Sequence, residues 1–195
     1  MMPSLFEIIA AVSGIVSVWF SRKASIWVYP TGLINTVFYI WISYDAQLIG
    51  EATVNFYYTV MSLYGWFNWL RRNEKRELIV QITRSTRTDW LMQCAFFILI
   101  YLVLFVSLIY LQDAFFPGAI PWADALASAA AFTGMWLMTQ KKVESWLWWI
   151  ITNIASMPLY FIKGYAFTAG YYFILLVLAV LGWREWVKKS QSNVS

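Results

Sequence analysis

The stretch GWFNW at residues 65–69 decides the predicted fold, because it returns as GWREW at residues 182–186. Each copy closes a strongly apolar segment of the chain. One such pair could arise by chance in a chain with 13 tryptophans. The sequence around each copy must therefore decide whether the chain contains an internal repeat.

A second signal lies upstream of each copy, where a basic pair precedes a tryptophan that opens an apolar segment. The pair at residues 22–23 precedes Trp27, and the pair at residues 141–142 precedes Trp146. Both tryptophans come four positions after the second basic residue, and 38 or 36 residues before the glycine of the later motif. The common order of these features favours an internal repeat.

Seven apolar segments can be read from the sequence, most of them close to the roughly 17–25 residues that a membrane helix needs. They run over residues 5–20, 26–44, 48–70, 90–112, 122–139, 146–163 and 167–187. The repeat covers segments one to three and five to seven, and the fourth reverses the chain so that the two copies become parallel. We therefore predict an all-α integral membrane protein in which a linking helix joins two three-helix repeats (3+1+3), as in parallel-repeat transporters.

This plan divides the chain into four parts. Residues 1–70 form the first repeat, and residues 71–121 hold a basic cytoplasmic loop, the linker helix and an outer loop. Residues 122–187 form the second repeat, and residues 188–195 form a cytoplasmic tail. In transporters of this plan the substrate site lies near the midplane, between the repeats.

Composition and charge agree with a membrane location. The chain is 61% hydrophobic and 12% charged, where soluble domains have about 25% charged residues. Thirteen of the 14 lysines and arginines lie at residues 22–23, 71–87, 141–142 and 184–189, and the other is Lys163. The positive-inside rule then places the C-terminus in the cytoplasm and the N-terminus outside, in a multi-pass membrane protein.

Several kinds of chemistry are excluded or disfavoured. The chain has no histidine and a single cysteine, Cys94, which excludes histidine-based metal sites and an internal disulfide. No phosphate-binding loop is visible, and basic residues that alternate with apolar segments do not fit a nucleic-acid surface. We expect no cofactor, no metal, no nucleic-acid partner and no enzymatic activity.

The sixth segment carries the strongest candidate site, on Trp146, Trp149 and Asn153. At about 100° per residue these three side chains fall within about 60° of one helix face. Two indoles and an amide on one face of a membrane helix predict a docking surface for a flat, polar aromatic ligand. The alternative is that Asn153 bonds to a neighbouring helix.

Further candidates lie on the second, third and fifth segments. A polar stripe on the third segment contains an acidic residue that could instead face water at the outer end. Breakers at Pro30, Gly32 and Pro158 could be hinges for alternating access or simple packing kinks. The additional predicted site residues are Glu51, Asn55, Tyr58, Asn35, Tyr39 and Thr133.

Over nearly its full length the chain resembles the PnuC-type vitamin transporters, in particular the nicotinamide riboside transporters. The resemblance rests on Trp146-x-x-Trp149-x-x-x-Asn153, on residues 124–138, and on the motifs closing at Trp69 and Trp186. It implies a fold related to the SWEET sugar transporters, assembly as a homotrimer, and facilitated diffusion with trapping by a cytoplasmic kinase. It also implies that Trp146, Trp149 and Asn153 contact the bound vitamin.

Two positions depart from the pattern expected of nicotinamide riboside transporters. That pattern leads us to expect a glutamine in place of Asn55 and another glutamine near Met135. The first-choice substrate is nicotinamide riboside, and thiamine is the alternative, with riboflavin ranked below it. Nicotinamide riboside and thiamine are both cationic aromatic molecules, so the indoles alone cannot separate them.

Overall fold

The computed structural model describes residues 5–45, 49–115, 120–164 and 166–192. Within these ranges the chain forms seven α-helices. They are α1 (Leu5–Arg22), α2 (Val28–Asp45), α3 (Ile49–Leu70), α4 (Arg87–Phe115), α5 (Pro121–Thr139), α6 (Ser145–Ile162) and α7 (Ala166–Ser192). The predicted all-helical fold is confirmed, with each predicted segment inside or within about two residues of one helix.

By length and composition alone, three of these helices are apolar enough to cross a membrane. They are Leu5–Arg22, Arg87–Leu111 and Ala166–Ser192. Helix α7 extends past the predicted segment end at residue 187. Its last turns are held in place because the Lys189 ammonium donates to the Lys23 carbonyl at 3.0 Å and Ser190 is buried. The first part of the predicted tail is therefore helical.

The contacts between helices follow a symmetric pattern. Helix α2 packs between α1 and α3, and α6 packs between α5 and α7. The two groups of three meet where α1 contacts α7 and where α3 contacts α5. These two interfaces are equivalent, because the first helix of one group contacts the third helix of the other in both. Helix α4 packs on α5, outside both groups. This arrangement is consistent with the 3+1+3 plan.

The C-terminal ends of α1, α3, α5 and α7 meet at one end of the bundle, which we call the basic end. There the Trp186 indole donates to the carbonyls of Ser21 and Arg22 at 3.2 and 3.1 Å. The Trp69 indole donates to the Met138 carbonyl at 3.2 Å. The four odd-numbered helices therefore end on the same side, as parallel repeats require.

The structure corrects the register of the repeat. Trp27 is 59% exposed, whereas Tyr29 is buried against Gly65 in the same way that Trp146 is buried against Gly182. Both pairs, and also Trp69 and Trp186, are consistent with one shift of 117 residues. The prediction that Trp27 corresponds to Trp146 is therefore wrong, because tyrosine rather than tryptophan fills this position in the first repeat.

This register also changes the interpretation of the helix breakers. Pro30 lies in the first turn of α2, where a missing backbone N–H costs no helical hydrogen bond. Gly32, and not Pro30, is 117 residues before Trp149. Pro158 does lie inside a helix, α6.

The same shift relates two turns in left-handed conformation. Ala24 follows α1 with φ +56°, and Lys141 follows α5 with φ +52°. A left-handed residue just past a helix end commonly satisfies the last carbonyls. Both repeats thus turn from their first to their second helix in the same way.

Residues 71–86 form a strap across the basic end, where the sequence suggested only a basic loop. The Thr83 N–H donates to the Lys141 carbonyl at 3.3 Å, and the Val143 N–H donates to the Thr83 carbonyl at 3.0 Å. The Lys141 ammonium donates to the Val80 carbonyl at 3.1 Å. Ile82 is buried in the apolar cluster beneath.

A second set of contacts holds the far end of the strap. The buried carboxylate of Glu144 accepts from the Ser85 N–H at 2.8 Å and pairs with the Arg84 guanidinium at 3.5 Å. Arg84 also lies 5.9 Å from the Trp183 ring centre. The strap leaves the first repeat at α3 and is fastened to the second.

Candidate functional site

Trp149 is the partly buried indole at the centre of the candidate site. It projects from α6 against α5, where a Cβ added to Gly134 would lie 3.3 Å from both Cε2 and Nε1 of the indole. Its ring centre is 6.3 Å from that of Tyr58 on α3, at an interplanar angle of 44°. The indole therefore stands where α3, α5 and α6 come together, between the two groups of helices.

Asn153 lies one turn further along α6, away from the basic end. Its side chain is 3% exposed. None of the hydrogen bonds between described residues involves its amide. An amide whose hydrogen-bonding capacity is not used within the described part of the protein is suited to receive a polar ligand.

Tyrosines of α3 continue the site from Trp149. Tyr57 stacks on Phe132 with ring centres 4.0 Å apart, and its hydroxyl donates to the Phe132 carbonyl at 3.1 Å. The Tyr58 ring is 6.0 Å from the same phenylalanine. These contacts fix the α3–α5 interface beside Trp149 and place Tyr58, one of the predicted site residues, next to the indole.

Trp146 lies one turn nearer the basic end, in a different environment. It is 1% exposed, and its ring packs edge-on against Trp186 with centres 5.6 Å apart. Its indole nitrogen is buried without a hydrogen-bond partner in the described part of the chain. Trp146 thus belongs to the aromatic cluster that closes the basic end, and Trp149 separates it from Asn153.

The aromatic cluster joins the two groups of helices directly. Trp69 and Trp186 have ring centres 6.2 Å apart, and Tyr29 packs edge-on against Trp69 at 5.1 Å. Each of these two tryptophans also donates its indole N–H to a carbonyl of the other group, as described above. The motif that revealed the repeat therefore serves to close this end of the bundle.

Polar residues predicted on α2 are used partly for packing. The Asn35 amide donates to the Ala10 carbonyl of α1 at 2.7 Å and lies against Gly14. The Asn35 side chain thus forms an interhelical hydrogen bond with α1. Tyr39 is partly buried and interacts with other groups.

The remaining predicted residues have different surroundings. Thr133 is fully buried and donates its hydroxyl to the Ala129 carbonyl of its own helix at 2.8 Å. Asn55 is partly buried on α3, where its carbonyl accepts from the Thr59 hydroxyl at 3.0 Å. The side chain of Glu51 lies outside the described residues.

The structure thus places Trp149 against Tyr58, with Asn153 one turn further along α6. The described contacts of Trp146, Asn35 and Thr133 are made with other residues. Sequence reasoning missed Gly134, whose lack of a side chain gives no signal until its neighbour is known. Across the described ranges no group of acidic, histidine or cysteine side chains could hold a metal ion. The site consists of aromatic faces and an amide.

Helical architecture, apolar composition and an aromatic site between two helix groups define a multi-pass membrane transporter. The chain belongs to the family described as Nicotinamide mononucleotide transporter, whose model matches residues 4–188. This match confirms the predicted family and the prediction that the chain is a transporter and not an enzyme.

Individual relatives agree with the family. The chain is 24% identical to the Nicotinamide riboside transporter PnuC of Escherichia coli (strain K12), over 98% of this chain and 89% of the relative. It is 23% identical to the Riboflavin/roseoflavin transporter RibM of Streptomyces davaonensis (strain DSM 101723 / JCM 4913 / KCC S-0913 / 768), over 96% and 86%. The solved structure titled Crystal structure of the Vitamin B3 transporter PnuC superposes with a TM-score of 0.73 at 25% identity, over 94% of this chain and 81% of that one.

Proposed function

We propose that this chain carries nicotinamide riboside across the bacterial inner membrane by facilitated diffusion. The main observation in support is that the Trp149 indole and the amide of buried Asn153 lie one turn apart on α6. An indole face attracts a flat cationic ring by stacking and by cation–π interaction. The amide can exchange hydrogen bonds with a carboxamide or a ribose hydroxyl. The relatives named as nicotinamide riboside transporters support this substrate.

The proposal includes a direction and a means of trapping. The basic end faces the cytoplasm, because nearly all the basic residues of the chain flank the segments that meet there. The N-terminus is then outside. Substrate that leaves at the basic end is phosphorylated by a cytoplasmic kinase and cannot return. The functional unit is a homotrimer in which each protomer has its own site.

Release into the cytoplasm requires the aromatic cluster of the basic end to separate. The indole N–H groups of Trp69 and Trp186 each tie one helix group to a carbonyl of the other. Both ties must break when α1 moves away from α7 and α3 from α5. Alternating access between the two groups thus accounts for the pairing of these contacts.

Riboflavin is a second candidate, favoured by the likeness to a relative named as a riboflavin and roseoflavin transporter. Its tricyclic ring is neutral and larger than a nicotinamide ring. Thiamine, a cationic aromatic, remains a third. A cationic ring gains cation–π attraction at Trp149 that a neutral ring does not.

A binding and uptake panel tests the proposal. The purified protein is titrated with nicotinamide riboside, thiamine and riboflavin by calorimetry, and liposomes containing it are assayed for uptake without an energy source. We expect nicotinamide riboside to bind most tightly and to equilibrate across the liposome membrane. Trp149→Ala should weaken binding about five- to thirtyfold, since an aromatic contact of this kind is worth about 1–2 kcal/mol.

The matched control is Trp41→Ala, which removes an exposed indole on α2 and should leave binding unchanged. Tighter binding of thiamine or riboflavin would reassign the substrate. Binding without uptake would contradict the transport step, and equal effects of the two tryptophan variants would contradict the site.

A further inference from the structure

At the level of Trp149, the two repeats differ in which of their first two helices carries a glycine. In the first, Ser17 on α1 faces Gly32 on α2, where an added Cβ would lie 3.0 Å from the serine hydroxyl oxygen. The corresponding positions in the second, 117 residues later, are Gly134 on α5 and Trp149 on α6. The glycine has changed sides, from the second helix of its unit to the first.

This exchange makes room for the indole. A Cβ on Gly134 would approach two atoms of the Trp149 ring to 3.3 Å and also the Cβ of Trp148 to 3.3 Å. Trp148 is also held by a second helix, since its indole donates to Gln93 on α4 at 2.8 Å. An added methyl could therefore displace Trp148 only against that bond, and the Trp149 ring is the freer to move.

Gly134 is not required by the backbone. It lies within α5 and is not among the described residues with positive φ. Glycine inside a helix is less favourable than alanine by up to about 1 kcal/mol. In membrane helices such a residue is characteristic of a close contact, where a small side chain allows a neighbour to approach the backbone.

We propose that Gly134 is a positioning residue: it sets the place of the Trp149 indole and hence the depth of the surface on which the ring of the substrate stacks. The inference rests on the proposed function for its ligand, but the position of the indole can be measured without a ligand. An added methyl at residue 134 displaces the indole by a few tenths of an ångström away from α5, and with it the ring face on which the substrate is proposed to stack.

The first measurement uses no ligand. Protein labelled with 5-fluorotryptophan is studied by fluorine NMR, with the Trp149 resonance assigned from its loss in Trp149→Phe. Gly134→Ala should shift this resonance, whereas Gly170→Ala should not, because an added Cβ at residue 170 meets nothing within 4 Å. An unchanged Trp149 resonance in Gly134→Ala would overturn the inference.

The second measurement is affinity for nicotinamide riboside by calorimetry. Gly134→Ala should weaken binding about tenfold in the wild-type chain, and less than about twofold in a Trp149→Phe background, where the smaller ring leaves space for the methyl. Equal losses in both backgrounds would overturn the inference, because the methyl would then act without the indole.

Misfolding of Gly134→Ala and failure of the wild-type chain to bind a vitamin are also informative. If Gly134→Ala does not fold, recovery of a folded protein in Gly134→Ala/Trp149→Leu supports the contact, and no recovery contradicts it. If the wild-type chain binds none of the three vitamins, the proposed function fails, while a shifted fluorine resonance still supports the role of Gly134.

Discussion

Two asparagines that are both predicted site residues have opposite surroundings. The Asn35 amide donates to a backbone carbonyl of α1, so the folded protein uses it as an interhelical bond. The Asn153 amide is more deeply buried, yet no hydrogen bond between described residues involves it. The same side chain therefore contributes to stability at one position and is left for binding at the other.

This difference predicts opposite effects of alanine substitution. Asn153→Ala should weaken vitamin binding about tenfold or more and leave the melting temperature nearly unchanged, because no described protein hydrogen bond is lost. Asn35→Ala, its matched control, should lower stability by about 1 kcal/mol and affect binding little, because it removes the bond to Ala10. Calorimetric titration and thermal unfolding of both variants in detergent measure the four quantities. A large stability loss in Asn153→Ala would show that its amide is structural.

Helical periodicity was enough to place Trp149 and Asn153 on one face of α6, because residues separated by three or four positions share a face. It could not distinguish Trp146 from these two residues, because Trp146 lies on the same helix face. Its burial depends on Gly182 and Trp186 of another helix, and contacts between distant segments leave no periodic signal in either one.

Among the helices, the ends of α3 and α7 hold the two groups together. Trp69 donates one hydrogen bond across this boundary, and Trp186 donates to two carbonyls at the end of α1. The Glu185 carboxylate adds an ion pair with the buried Arg22 guanidinium at 3.1 Å. The end of α3 has a second bond, because Asn68 donates to the Thr139 carbonyl at 2.9 Å, so several polar contacts hold each of the two interfaces.

Trp186→Phe should loosen this contact while keeping an aromatic ring in the cluster. We expect a loss of about 1 kcal/mol in stability, since two carbonyls at the end of α1 lose a buried donor. The rate of vitamin release from preloaded liposomes should change with it, because the proposed alternating access requires these hydrogen bonds to break. Trp183→Phe is the control, since Trp183 is only partly buried and none of the described hydrogen bonds uses its indole. If the two variants have the same melting temperature, the Trp186 bonds contribute nothing.

The order and length of the helices could be predicted from apolar segments and the positions of charges, but the register of the repeat could not. Pairing residues by type matched Trp27 with Trp146. The equivalent residues are the two that pack against the glycine of each motif, Tyr29 in the first repeat and Trp146 in the second. Similarity of shape at a helix crossing is not visible as identity in the sequence.

For the molecule as a whole, the strap joins the two helix groups at the basic end. Lys141 is central to it, because its ammonium bonds to the Val80 carbonyl and lies 4.5 Å from the centre of the Trp69 ring. Burial, and to a smaller extent the positive charge of Lys189, lowers the pKa of the Lys141 ammonium below its usual value. The charge of this lysine is therefore partly unfavourable in the folded protein.

The lowered pKa predicts how stability changes with pH. In the range between that pKa and the usual value near 10.4, the unfolded chain binds more protons than the folded one, so the contribution of Lys141 to stability rises with pH. Melting temperatures of the wild type and Lys141→Met should be compared from neutral pH to about pH 10. We expect the wild type to gain relative to the variant as pH rises. A constant difference would show that the lysine titrates alike in both states.

The hairpin at the start of the strap limits how far the basic end can open. The Ile79 N–H donates to the Arg71 carbonyl at 3.1 Å, so the chain returns to the end of α3 just before Val80 is fastened to the second helix group. While the hairpin is closed, this tether has almost no slack. Unzipped, its nine residues could span about 30 Å, at 3.3–3.6 Å per residue. A wide opening between α3 and α5 therefore requires either the hairpin to unravel or the strap to detach. If substrate leaves at the basic end, as proposed, the length of this short connection limits how large a molecule can pass.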